Sequence, residues 1–256
     1  MSHAPSPPQR LVSLVPSTTE SLCAFGAGPR LVGCTRYCTH PPGALAHAAR
    51  IGGTKNPDRE AILRLQPDLV LANGEENRAE DLAWLTSRVP VLTQTPRTVA
   101  AAVAALHELA VALGCAAAAG NWTRGIEAWL AERAAAAPAP HGRRVYYAIW
   151  RKPWMSVNRD TFVHDVLACL GLENVCADEA ARYPEVSPDV AVERGTDCVL
   201  LASEPWAFDE GQRQELAASR AFGPARLVLC DGRDFCWHGV HMASGLPRAA
   251  ALLAGR

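Results

Sequence analysis

No run of like charge longer than a few residues interrupts this 256-residue chain, whose 25 Lys and Arg nearly cancel 26 Asp and Glu. A surface without a strong field of either sign argues against nucleic acid, or an acidic membrane face, as the main partner. Long hydrophobic runs are also missing. The segment LVSLVP (11–16) is short and β-like, and polar, proline-rich MSHAPSPPQR (1–10) precedes it. As it reads, the chain shows neither an export signal nor a membrane span, which sets the expected location as cytoplasmic, or periplasmic if translation begins upstream. Catalytic signatures are thin as well. There is no GxSxG elbow, no HExxH and no CxxC, and GGTKN (52–56) lacks the spacing of a phosphate-binding loop. The nine cysteines are odd in number and irregularly spaced, and Cys23, Cys115, Cys169 and Cys198 sit inside apolar runs, so most are expected to be reduced core residues.

What the chain does have is alternation. LVSLVP reads as a strand that stops at Pro16, and Ser17 with Glu20 has the spacing of a capping box for a following helix. LVGCT (31–35), PDLVLAN (67–73) and VPVLTQ (89–94) read as further strands, with helical pattern at DREAILRLQ and NRAEDLAWLTSR. Alanine-rich helix fills 98–137, with breaks expected near Gly114 and Gly120. A second set follows: strand RRVYYAIW (143–150), helices TFVHDVLACLG and SPDVAVERG, strand DCVLLA (197–202), helix EGQRQELAAS, strand RLVLCD (226–231) and a last helix in ASGLPRAAALLAG. Apolar strands between amphipathic helices predict an α/β fold with parallel sheets covered on both faces. The halves also echo each other: ILRLQPDLVLANGEE (62–76) and VAVERGTDCVLLASEP (190–205) both run helix, turn, buried strand, acidic loop. The expected domains are an N-terminal lobe at 1–113, a bridging helix at 114–138 and a C-terminal lobe at 139–256, with a cleft between the lobes. In open α/β sheets ligands bind at the loops beyond the carboxyl ends of the strands.

LVSLVPSTTE, LVGCTRYCTHPP, IGGTKNPDREAILRLQPDLVLANGEEN, the ENVC turn with YPEVS, and TDCVLLASEP, in that order, make the chain resemble the periplasmic-binding-protein family that captures cobalamin and iron–siderophore chelates, the helical-backbone metal receptor or TroA-like superfamily. The resemblance implies two Rossmann-like lobes joined by a single long backbone helix, little hinge motion, and one chelate bound without chemical change for an ABC permease. By position Tyr37 matches a tyrosine that faces the corrin in cobalamin-binding members. Glu60 falls where members carry an acidic residue for docking on the transporter. Asn73 stands where cobalamin binders have a cleft tryptophan, so the corrin pocket is not reproduced residue by residue.

Candidate ligand-binding residues on the strand-end loops are Arg36, Tyr37, Lys55, Asn73, Glu75, Trp150, Arg151, Trp154, Trp206, Phe235, Trp237 and His238. Aromatic rings suit a flat chelate, and the cations suit its anionic substituents. No covalent cofactor is expected; the bound group is a corrinoid or an iron chelate, in a monomer that inserts in no membrane. The alternative is a cytoplasmic enzyme or metal-handling protein on the same scaffold, with zinc drawn from Cys38, His40, Cys236, His238 and His241, since thiolate and imidazole suit that ion.

Overall fold

The computed structural model describes residues 6–135 and 143–254. The chain forms two compact units. The first comprises residues up to Pro96, Ala100–Gly125 and the short segment His238–His241; the second comprises Arg97–Val99, Ile126–Trp237 and Met242 onward. The last residues of the expected bridging segment, 136–138, and the start of the expected C-terminal lobe, 139–142, lie outside the described residues.

In the first unit β1 (Leu11–Ser13), β2 (Leu31–Cys34), β3 (Ala49–Arg50), β4 (Leu69–Asn73) and β5 (Val91–Gln94) pair in parallel in the order β3-β2-β1-β4-β5. Every residue of β1 is buried, as befits a strand covered on both faces. Val12, Leu14, Ile51, Ile62, Val70, Ala72 and Leu85 form its core. Between the strands run α1 (Pro16–Ala24), α2 (Arg59–Arg64) and α3 (Ala79–Thr86), followed by α4 (Val99–Ala112).

The expected capping box at Ser17 does not form. Pro16 is the first helical residue and Val15 is the N-cap, with no side-chain cap bond, so Ser17 is the second residue of the helix. Proline at that position needs no hydrogen bond for its missing N–H and presets φ, which starts α1 two residues early. Asp58, by contrast, caps α2 with a bond from the Ala61 amide at 2.9 Å. The break at Gly114 is present (φ +68°), whereas Gly120 lies inside α5 (Ala116–Ala135), which runs on through the place where the contacts pass from one unit to the other.

The second unit has a four-stranded parallel sheet, β11-β10-β6-β9, from β6 (Arg144–Ala148), β9 (Glu173–Asn174), β10 (Cys198–Ala202) and β11 (Arg226–Cys230). A small antiparallel hairpin joins β7 (Trp150–Arg151) to β8 (Trp154–Met155). Helices α6 (Phe162–Cys169), α7 (Pro188–Glu193), α8 (Glu210–Ser219), α9 (Arg233–Cys236) and α10 (Met242–Ala254) complete it, with Thr161, Ser187 and Asp209 as side-chain N-caps of the first three. All five residues of β10 are buried. Among the described residues no helix is long and apolar enough to cross a membrane.

Both sheets reverse their strand order beside the first strand of the unit: between β1 and β4 in the first, between β6 and β10 in the second. The connections leaving these strands diverge there, and the carboxyl ends at such a point are the usual ligand position in open α/β sheets.

Candidate functional site

The loop after β2 is CTRYC, residues 34–38. Cys38 closes it as a turn, its amide donating to Thr35 O at 3.1 Å, and the Arg36 amide donates to Gly52 O at 2.8 Å. The Arg50 guanidinium ties both ends together, donating to Cys34 Sγ at 2.9 Å, Thr35 O at 3.1 Å and Cys38 O at 2.8 Å. Held in this way, the loop presents Tyr37, which is 54% exposed. The Arg36 guanidinium lies 5.4 Å from the Tyr37 ring centroid and reaches Asn56 Oδ1 at 3.4 Å. Gly53 completes the support, because a Cβ there would come within 3.3 Å of the ring and 2.5 Å of Asn56 Oδ1. A large exposed aromatic on a tied loop has little entropy left to lose on binding, which favours a flat partner.

At the switch point of the same sheet, the NGEEN loop is organised by Asn73. Its Oδ1 accepts from the amides of Glu75 at 2.7 Å and Glu76 at 3.1 Å, and its own amide donates to Asn77 Oδ1 at 2.8 Å. With Oδ1 so engaged, Nδ2 must face His238 Nε2 at 3.2 Å, and an amide nitrogen only donates. His238 Nε2 is therefore an acceptor, and the ring proton sits on Nδ1. Burial draws the imidazole down to about 4, against a smaller opposing pull from Glu75. Asn73 and His238 thus brace the loop. The lone pair that would have made His238 an axial ligand is already occupied. Lys55 donates to the Glu75 carbonyl, which fastens the GGTKN loop to the same place. Glu60 is exposed in the first turn of α2.

In the second unit Trp150 follows β6 and Trp206 follows β10, on either side of that sheet's switch point. Their rings meet edge to face at 5.0 Å, with Trp150 36% exposed. Trp150 Nε1 donates to Lys152 O at 3.0 Å and Trp206 Nε1 to Gln212 Oε1 at 3.2 Å, so both indoles are fixed at the polar edge. Three expected site residues are engaged elsewhere. Trp154, partly buried, stacks on Phe208 at 5.9 Å and packs edge-on to Phe222, against the core. Phe235, 1% exposed, packs against Tyr147 at 5.5 Å. Arg151 pairs with Glu215 on α8 at 2.6 Å. Trp237 is half-buried; its Nε1 donates to Glu204 Oε1 at 2.7 Å, and the Cys236 thiol reaches the same oxygen at 3.1 Å.

The proposed Cys/His metal set does not assemble. Cys38 is fully buried among Thr19, Thr35 and Arg50; His40 Nδ1 faces Thr39 Oγ1 at 3.1 Å; His241 Nδ1 faces Glu20 at 3.1 Å; Cys236 lies in the other unit, on Glu204. Among the described residues no group of three His, Cys, Asp or Glu side chains could hold a metal ion. Proximity in CWHGVHM misled because consecutive side chains there take different directions and different partners.

The profile of the periplasmic binding proteins matches residues 11–224. The chain belongs to that family. A vitamin B12-binding protein of Pectobacterium atrosepticum is 25% identical over 87% of this chain and 78% of its own length, and one from Vibrio parahaemolyticus is 29% identical over 86% and 81%. Among solved structures, the periplasmic vitamin B12-binding protein BtuF of Vibrio cholerae superposes with a TM-score of 0.83 at 21% identity, covering 98% of both chains. The periplasmic heme-binding protein BhuT, in complex with two hemes, gives 0.83 at 24%, covering 97% of this chain and 98% of its own. These likenesses fix the α/β architecture, and family membership makes the chain a substrate-binding protein rather than an enzyme.

In this periplasmic binding protein the supports were harder to foresee than the presenting residues. Glu204, Glu20 and Arg50 were not among the expected site residues, yet each fixes one that was. Glu204 carried a sequence signal, as an acidic residue in the loop after a buried strand, and the signal at Glu20 pointed to a helix cap instead.

Proposed function

We propose that this protein is the substrate-binding component of an ABC importer for a metal tetrapyrrole, a corrinoid or a haem, which it carries without chemical change in the periplasm. The observation that carries the reading is Tyr37: a half-exposed aromatic at the carboxyl end of β2, on a loop tied at both ends, with the Arg36 cation beside it. The ring supplies a stacking face and the guanidinium a partner for the carboxylates or phosphate at a tetrapyrrole's rim. Trp150 and Trp206 give the second unit an aromatic pair of its own, after the two strands that flank its switch point. Relatives named for vitamin B12 and neighbours named for heme support this ligand class over an iron–siderophore.

The test is a titration of the full chain with haemin and, separately, with cyanocobalamin, followed by the visible band and by tryptophan quenching. Saturable one-to-one binding of either, weakened about tenfold or more by Tyr37→Ala (about 1.4 kcal/mol), is the expected result. No binding of either compound, or affinity unmoved by Tyr37→Ala and Arg36→Ala, would remove the reading. A ferric catecholate included in the series identifies the siderophore outcome.

A further inference from the structure

Cys34 and Cys38 bracket the loop that carries Arg36 and Tyr37, and both sulfurs are buried. One Arg50 nitrogen joins them, donating to Cys34 Sγ at 2.9 Å and Cys38 O at 2.8 Å, and each thiol is the largest electrostatic influence on the other. Thr35 Oγ1 lies 3.2 Å from Cys38 Sγ, and Thr19 Oγ1 lies 3.1 Å from it, sharing its proton with Val15 O at 2.9 Å. The Arg50 cation sits on Cys34 Sγ at 2.9 Å. Two neighbouring thiols, ringed by hydroxyls and one guanidinium, form a group poised to hold a single negative charge. The Cys34 hydrogen bond, with those of Thr19 and Thr35, favours the Cys38 thiolate against the opposing effect of burial, while Cys34 keeps its proton. Elsewhere burial pushes the thiols of Cys23, Cys169, Cys176, Cys198 and Cys230 up, so they stay protonated and inert.

We propose that Cys34 and Cys38 are a reactive dithiol that undergoes exchange with small disulfides, closing a ring around Thr35, Arg36 and Tyr37. The Cys38 thiolate attacks one sulfur of the small disulfide, and the S–S electron pair leaves on the other sulfur, which takes a proton. Cys34 then gives up its proton and attacks the Cys38 sulfur of the mixed disulfide, expelling the second small thiolate, which that proton neutralises. The two cysteines lose two electrons and two protons, and the small disulfide gains both. Because the sulfurs are covered, the first attack follows an outward movement of the exposed Arg36–Tyr37 tip, and exchange takes minutes to hours. The chemistry does not depend on the identity of the ligand, so its success or failure is separable from that of the proposed function.

Fully reduced protein is incubated with glutathione disulfide, quenched, alkylated and digested for mass spectrometry. The expected product is a peptide spanning Cys34 and Cys38 that is lighter by two hydrogens, unalkylated, and restored by dithiothreitol. In Cys34→Ser, glutathione is expected to remain attached to Cys38. Alkylation of both positions to the same extent with and without oxidant, or a glutathione adduct at another cysteine with none at Cys38, would overturn the proposal. The wild-type measurement stands whether or not the variant folds.

Discussion

His238 makes the stability of the first unit fall in mild acid. Its ring is buried, accepts a hydrogen bond at Nε2 from Asn73, and is drawn down from 6.5 to about 4 chiefly by burial. Protonation would set an N–H against the N–H of an amide that cannot turn over, because Asn73 Oδ1 is held by two backbone donors. Above pH 6.5 the ring is neutral folded or unfolded and costs nothing. As pH falls from 6.5 towards 4, the unfolded chain takes up a proton that the folded chain refuses, and stability drops by about 1.4 kcal/mol per pH unit, about 3 kcal/mol in all. Below 4 both states are protonated and the slope from this group ends. Other groups titrate in the same window, so the informative quantity is the difference between wild type and His238→Gln, an uncharged side chain that still offers Asn73 an acceptor. Urea unfolding followed by circular dichroism at pH 7.5 and pH 4.5 gives it. The wild type should lose about 2–3 kcal/mol more than the variant over that interval. Parallel losses in the two proteins would refute both the tautomer assignment and the bracing role.

The neighbouring tyrosines of β6 make a paired test. Tyr146 OH donates to Val186 O at 2.9 Å, whereas buried Tyr147 OH has no hydrogen-bond partner among the described residues, so Tyr146→Phe should destabilise by about 1–2 kcal/mol and Tyr147→Phe should be neutral or stabilising by about 1 kcal/mol, read from urea midpoints. Glu204→Gln keeps an acceptor for the Trp237 indole and should leave its fluorescence maximum near that of wild type; Glu204→Ala should shift it and, if Trp237 touches ligand, weaken haemin binding. Gly239 has φ +103°, and a Cβ there would lie 2.4 Å from Ser21 Oγ, so Gly239→Ala should cost about 2 kcal/mol or more in thermal or urea unfolding.

The regular elements were legible because buried parallel strands read as short apolar runs. LVS, LVLAN and CVLLA stand out for that reason, and Asp58, Thr161, Ser187 and Asp209 mark helix starts that the structure uses. The two-residue strands and α9 were not legible, since elements that short have no period. Among candidate site residues, Tyr37 and Trp150 could be read from position alone: they follow strands and are exposed. Trp154 and Phe235 also follow strands, but their rings turn towards the core, a direction no local pattern records. Glu20 shows the limit most directly. Its spacing from Ser17 suggested a helix cap, while its carboxylate meets His241, 221 positions away.

The four residues His238–His241 belong to the first unit although the chain on both sides of them belongs to the second. Asn73 finds its imidazole, Glu20 its histidine and Ser21 Oγ the Val240 amide only in that segment. Domains generally fold during synthesis with the N-terminal one first, at about 5–20 residues per second. Here the first-made domain stays incomplete until translation has passed His241. A ribosome that stops after the first lobe releases a fragment in which Asn73, Glu20 and Ser21 lack the partners that His238, His241 and Val240 supply.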